Sequence, residues 1–315
     1  MSALISPPLD KTDFDGLPAN GDLLSDTATP NWAELRRLSL LPGGFGQRRV
    51  ELWTQALGVS LPAQDTQFEE PQKAEDLEPH KDERQIRLDT DRSFVLYPVE
   101  DDMKKREALK DQLYDLLVAL FRKRRRLHYF QGYHDIVSVL FLTLPQELQF
   151  PCVEKLSLHR HYPIFRHHPS PLILLPRVLK RVIDVADPEF AALVDHTPLP
   201  YYALSNLLTL FSHDVPTLAL IQHVFDYLLS RPPIAAVYLA AAIVLTRKEE
   251  VKRLTEEDEE GMIHSLLSSL PDFYEEVDEE SISDSLLLEP EKIDEYPETK
   301  ELNPRTNQAS TLTNP

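Results

Sequence analysis

The sequence predicts an all-α fold, a multi-helix domain with disordered acidic segments beside it. Three observations carry that expectation: apolar residues recur at helical spacing, prolines fall between or near the ends of those runs, and no long alternating β pattern competes. Of the 315 residues, 42% are hydrophobic, enough to close a sizeable core.

Taken in order, residues 1–28 are rich in Pro, Asp, Gly and Ser without periodicity and read as a disordered N-terminal tail. A domain is expected over 29–270. It opens with Trp32, Leu35 and Leu38, then Arg49, Leu52, Trp53 and Leu57, around a Pro42-Gly43-Gly44-Phe45 turn, which predicts two short helices. Residues 60–83 are acidic, polar and aperiodic, the signature of a linker or surface insertion.

Between Arg106 and Arg126, Leu109, Leu113, Leu116, Leu117, Leu120 and Phe121 share one helical face, the clearest amphipathic helix in the chain. Further helical runs span Asp135 to Leu142, Leu172 to Val185, Tyr201 to Ser212, Leu218 to Leu229, Ile234 to Lys248 and Met262 to Leu270. The expected core uses Leu113, Leu117, Leu120, Val139, Leu208, Phe211, Phe225 and Leu228. Residues 271–315 are acidic and then polar, and predict a disordered tail.

Composition removes several function classes. A formal net charge of −19 argues against a general nucleic-acid binder. One cysteine, Cys152, excludes an internal disulfide framework and a Cys-rich zinc site, and fits a reducing compartment. No basic-then-apolar leader opens the sequence, and its longest apolar stretch, Ile234 to Leu245, is too short to span a bilayer, so a cytoplasmic location is expected. None of the eight glycines sits in a phosphate-cradling spacing, so no nucleotide cofactor of its own is expected.

Two segments carry candidate chemistry. In His128-Tyr129-Phe130-Gln131-Gly132-Tyr133-His134-Asp135, two aromatics, a Gln and a Gly meet at a joint between helices. A Gln there can orient a water or hold a phosphate oxygen; the alternative is that Tyr129 and Tyr133 are core and Gln131 merely caps a helix. In Ile86-Arg87-Leu88-Asp89-Thr90-Asp91-Arg92, one helical turn brings Asp89 to Arg92, either to aim the guanidinium or to make an ordinary surface pair. Adjacent His134 and Asp135 also permit a weaker reading as part of a metal-dependent helical phosphohydrolase.

Ile86-x-x-Asp89-x-x-Arg92 and Tyr129-x-Gln131 resemble the two signature motifs of the TBC domain, found in GTPase-activating proteins of Rab GTPases. Trp32 with Leu35-Arg36, Arg49-x-x-x-Trp53, Gly132-Tyr133-His134-Asp135, Leu210-Phe211-Ser212-His213 and Phe225-Asp226 echo further blocks of that domain in order, over roughly residues 30–270. The wording from His128 to Asp135, with Val153 to Ser157 downstream, looks most like the branch acting on the early-secretory Rab between endoplasmic reticulum and Golgi.

The resemblance implies that Arg92 acts as an arginine finger and Gln131 orients the attacking water, with Asp89 holding Arg92 and Tyr129 and Gly132 setting the loop that carries Gln131. GTP and magnesium would belong to the partner, a Rab in its GTP form; the chain would activate without being an enzyme itself. It would reside in the cytoplasm, peripherally at endoplasmic reticulum or Golgi membranes. A catalytically weak scaffold that binds a Rab without activating it is the alternative.

Some positions depart from the family pattern. Asn206 stands where relatives usually carry a tryptophan, and His223 where an arginine often precedes the aromatic-Asp pair. Members of the branch carry a hydrophobic anchor, whereas this sequence closes on Asn303-Pro304-Arg305 and a polar run. The run Arg122-Lys123-Arg124-Arg125-Arg126 suits either acidic lipid headgroups or a solvated helix end. The histidines from His159 to His168 lack a neighbouring carboxylate or cysteine, and no metal site is expected there.

Overall fold

The computed structural model describes residues 30–60, 77–98, 102–159, 170–195 and 199–271, and every regular element among them is helical. The tail over 1–28, most of the acidic stretch after Ser60, the histidine run from Arg160 to His168 and the C-terminal tail beyond Pro271 lie outside the described residues.

Helices α1 (Trp32–Leu38) and α2 (Arg49–Leu57) open the fold. They are followed by α3 (Glu83–Thr90), α4 (Met103–Lys123), α5 (Tyr133–Thr143) and α6 (Gln146–His159). The remainder comprises α7 (Ser170–Ala186), α8 (Pro188–Leu193), α9 (Leu204–Thr209), α10 (Leu218–Leu229), α11 (Ala235–Thr246), α12 (Lys248–Glu256) and α13 (Ile263–Ser268). Helix α4 packs on α3, α5 and α6; α7 packs on α8, α9 and α11; α9 also meets α5.

The longest of these, α4, starts where the Asp102 side chain accepts from Lys104 N, and it ends with Arg122 and Lys123 beside its free carbonyls. Its buried stripe is Leu113, Leu117, Leu120 and Phe121. Each such leucine contributes about 1.5–3 kcal/mol through apolar burial. The basic run at its end is largely internal business: Arg122 pairs with Glu83 (2.7 Å), Lys123 and Arg124 with Glu154 (3.0 and 2.8 Å), and Arg125 with Glu78 (3.5 Å). Those charges tie α3, α4 and α6 together.

A fully buried carboxylate, Asp226 on α10, holds the N-terminal helices. It accepts from Phe45 N (2.8 Å), Trp53 Nε1 (2.7 Å), and Arg49 Nε and Nη2 (3.0 and 2.9 Å). Gly44 is required there twice over, by its φ of +63° and because a Cβ would sit 2.3 Å from Asp226 Oδ2. His223, one turn earlier, donates from Nε2 to Ser39 O (3.1 Å). It is therefore a packing residue of this joint.

Several elements differ from the sequence expectation for physical reasons. Helix α6 contains Pro151, which masks it in the sequence, yet Leu148, Cys152, Val153 and Leu156 are all buried along it. The run Tyr201 to Ser212 divides into a 3-10 turn over Tyr201–Ala203 and the short α9, because Leu210 and Phe211 both take left-handed backbone, at φ of 50° and 68°. Of the expected core, Leu208 is only half-buried and lines a groove, while the other seven are buried. Asn206 is buried on α9 with its Oδ1 lacking a hydrogen-bond partner.

Candidate functional site

Helix α3 supports both predicted fingers. Its Ile86 is fully buried against the core, which turns Asp89, one helical turn on, inward as well; Asp89 is also fully buried. Arg92 stands two residues past Thr90, the last residue of α3, where the chain leaves the helix and its side chain swings out to 63% exposure. The guanidinium is held on the protein side by Asp89 Oδ1 (2.5 Å from Nη2) and by Leu88 O (3.2 Å from Nε). A bidentate-capable cation is thereby fixed at its base and free at its outer edge.

Asp89 has other donors. Gln85 Nε2 reaches Oδ1 at 3.0 Å, and the Tyr129 hydroxyl donates to Oδ2 at 2.8 Å. Tyr129 N donates to Asp82 Oδ2 (3.0 Å), the residue that precedes α3. Its ring packs edge-on against Phe121 and Tyr133, with centroids 5.7 and 6.5 Å away. Both the backbone and the hydroxyl of Tyr129 thus tie the α4–α5 loop to α3. Burial first, then the Asp89 carboxylate, pushes the Tyr129 hydroxyl above its ordinary range, so it stays protonated as a donor.

Two residues further along that loop, Gln131 is exposed, and no described residue bonds its side chain. It does not cap α5: that place belongs to Gly132, with φ +97° and no side-chain cap. A Cβ on Gly132 would meet Thr209 Cγ2 at 2.9 Å, so both the backbone and the close approach of α9 call for glycine. The sharp turn leaves Gln131 at the edge of the loop.

Arg92 and Gln131 line the same groove, of about 770 Å³, with Gly132, His134, Asp135, Leu208 and His213 among its other walls. On one side the segment after Arg92 is pinned by Phe94, which packs against Phe141 (6.0 Å), and by the buried Tyr97 hydroxyl, which donates to Ser212 O (3.0 Å). Between these anchors Val95 stays 83% exposed at the rim. Neither Asn206 nor His223 lines this groove.

Along the groove wall runs a series of polar contacts that the sequence did not reveal. The Tyr129 hydroxyl lies 3.2 Å from His134 Nδ1; His134 Nε2 lies 3.1 Å from Asp135 Oδ1; and Asp135 Oδ2 lies 2.8 Å from His213 Nδ1. Burial holds the His134 imidazole below its ordinary value, against the opposing pull of Asp135 and Asp89, which makes it neutral at neutral pH. Only the adjacency of His134 and Asp135 was visible in the sequence; His213 lies 78 residues away. Among the described residues no group of three or more His, Cys, Asp or Glu side chains is arranged to hold a metal ion. Cys152 is buried and its thiol is pushed up to about 12, so it is no nucleophile at neutral pH.

The helical domain thus presents, on one groove, an arginine held at its base and a glutamine whose side chain no described residue bonds. The Rab-GTPase-TBC domain family model matches residues 47–252, and the chain belongs to that family. It is 31% identical over 243 residues to TBC1 domain family member 20 of Bos taurus, an alignment covering 76% of this chain and 59% of that protein. The GTPase-activating protein gyp10 of Schizosaccharomyces pombe is 31% identical over 194 residues, covering 61% of this chain and 52% of its own. The chain thus spans less than two thirds of the length of these relatives. Among solved structures, the Chlamydomonas flagellar RabGAP TBC domain superposes with a TM-score of 0.51 at 16% identity, covering 81% of this chain and 86% of that one, a likeness of fold. No described helix is long and apolar enough to cross a membrane.

Proposed function

We propose that this protein accelerates GTP hydrolysis on a Rab-family GTPase in its GTP form, supplying Arg92 and Gln131 in trans. The observation that carries the reading is the exposed Arg92 guanidinium, held at its base by the fully buried Asp89 on a groove that Gln131 shares. Hydrolysis develops negative charge on the phosphoryl oxygens and needs an in-line water. Arg92 meets the first need with a planar, permanently charged fork, and Gln131 meets the second with one acceptor and two donors. Preorganisation by Asp89 and Tyr129 means little has to be rearranged when the partner docks.

The partner's nucleotide and magnesium supply the reacting groups, and the chain adds its side chains to them. Likeness of the His128 to Asp135 wording to the early-secretory branch supports traffic between endoplasmic reticulum and Golgi as the setting, with peripheral association at those membranes. The scaffold alternative is disfavoured because both fingers are present and line the groove formed by the described residues, and because Asn206 and His223 do not line it.

The test is GTP turnover by a panel of GTP-loaded Rab proteins, with and without the protein. Stimulation of one or more Rabs that is lost in Arg92→Ala and in Gln131→Ala is the expected outcome. Binding without stimulation by the unaltered protein would instead mark a scaffold.

A further inference from the structure

We infer that His213 is a third partner-facing side chain of this groove, its ring fixed by Asp135 so that Nε2 accepts a hydrogen bond from a donor on the docked GTPase. The inference rests on the proposed Rab-directed activity and adds to it a contact that neither finger motif contains.

The backbone that presents His213 is unusually constrained. Leu210 and Phe211 both adopt the left-handed region, which side-chain-bearing residues enter only when their surroundings hold them there. Phe211 is buried and its N–H returns to Asn206 O (2.8 Å). Ser212 is buried too, its hydroxyl on Thr209 O (2.6 Å) and its carbonyl receiving the Tyr97 hydroxyl. With both preceding residues locked inward, His213 projects into the groove at 59% exposure.

The ring is then oriented by chemistry. An ionised carboxylate only accepts hydrogen bonds, so the 2.8 Å contact of Asp135 Oδ2 requires the hydrogen on Nδ1 of His213. A neutral imidazole so arranged carries its lone pair on Nε2. Asp135 Oδ1 also lies 3.1 Å from His134 Nε2. Arg92 and His213 stand on the same groove, and His134 and Asp135 line it as well.

The tautomer selects the ligand chemistry. A bare Nε2 repels a phosphate oxygen and suits a hydroxyl, a main-chain N–H or a lysine ammonium. A ring already held at one side loses less conformational freedom on binding, which favours a contact residue built this way.

The experiment combines stimulated hydrolysis, measured over a concentration series of the most responsive GTP-loaded Rab, with ¹⁵N NMR of the imidazoles in the free protein. In His213→Asn the amide nitrogen takes the place of Nδ1 beside Asp135 while the Nε2 acceptor is removed. This variant should keep the wild-type melting temperature and raise KM about tenfold, the scale of one lost hydrogen bond, with the larger share of the loss in KM. His213→Gln, whose amide group reaches the Nε2 position, should recover part of the loss, and the NMR spectrum should place the His213 hydrogen on Nδ1. An unchanged KM in His213→Asn overturns the assignment and leaves the roles of Arg92 and Gln131 standing. A hydrogen found on Nε2 in the free protein overturns it as well. Absence of stimulation by the wild-type protein on every Rab tested overturns both this inference and the activity it rests on.

Discussion

Two fully buried carboxylates, Asp89 and Asp226, do opposite work with the same chemistry. Asp226 gathers Phe45 N, Trp53 Nε1 and the Arg49 guanidinium, and all three donors stay inside; Arg49 is only 14% exposed. Asp89 gathers Gln85, the Tyr129 hydroxyl and Arg92, and the last of these points out at 63% exposure. A closed set of partners makes a structural lock between α1–α2 and α10. An open set makes a handle by which the core aims a cation at something outside. Burial of the acid is common to both, so the exposure of the cationic partner is what distinguishes the two pairs.

The comparison can be broken most sharply at Asp226. Asp226→Ala leaves the Arg49 guanidinium and the Trp53 N–H without their buried acceptor and should destabilise the fold by about 3–5 kcal/mol, read from urea unfolding. At the groove, Gly132→Ala should cost about 1–3 kcal/mol through its forced left-handed backbone. Removing the clashing methyl with Thr209→Ser in the same chain should return part of that cost, because steric and backbone strain are separate terms. Tyr129→Phe removes one donor from Asp89 and should cost about 1–2 kcal/mol in unfolding. Stimulated hydrolysis should fall between about ten- and a hundredfold in that variant, the scale of a misplaced catalytic group.

The smallest effect concerns pH. Burial depresses His134 below its ordinary 6.5, so between the folded value and 6.5 the unfolded chain binds more protons than the native one. Stability therefore rises with pH through that window: its full contribution is present above about 6.5 and is lost as pH falls through the folded value. Melting temperatures measured across the acid range should decline less steeply in His134→Gln. An identical slope in the variant would remove His134 from the account.

Local patterns were legible in the sequence where local physics governs. The Leu stripe of α4 and the turn joining Asp89 to Arg92 both appear as spacing. Helix α6 was hidden because Pro151 ordinarily breaks a helix, and here the buried Leu148, Cys152, Val153 and Leu156 outweigh it. The break after α9 was hidden because Leu210 and Phe211 carry no glycine-like signal for their left-handed backbone. Of the site, the two fingers came from motifs, but the bond from Tyr129 to Asp89 spans 40 residues and that from His213 to Asp135 spans 78. Such pairings follow from packing of α3, α5 and α9, which no spacing rule encodes. Asn206, which the sequence flagged as a departure, is a buried side chain with an unmet Oδ1, and nothing in the structure explains its choice.

On the proposed reading, Asp89 aims Arg92 outward for catalysis, and the fold stands without that guanidinium. The most direct measurement is stimulated GTP hydrolysis and urea unfolding of Arg92→Ala on one preparation, beside the wild-type protein and its most responsive Rab. Stimulation should fall on the order of 10³-fold or more, while the unfolding midpoint drops only by the small amount expected when Asp89 loses one of its donors, as in Tyr129→Phe. Near wild-type stimulation, or a loss that tracks a strongly lowered midpoint, would contradict that reading.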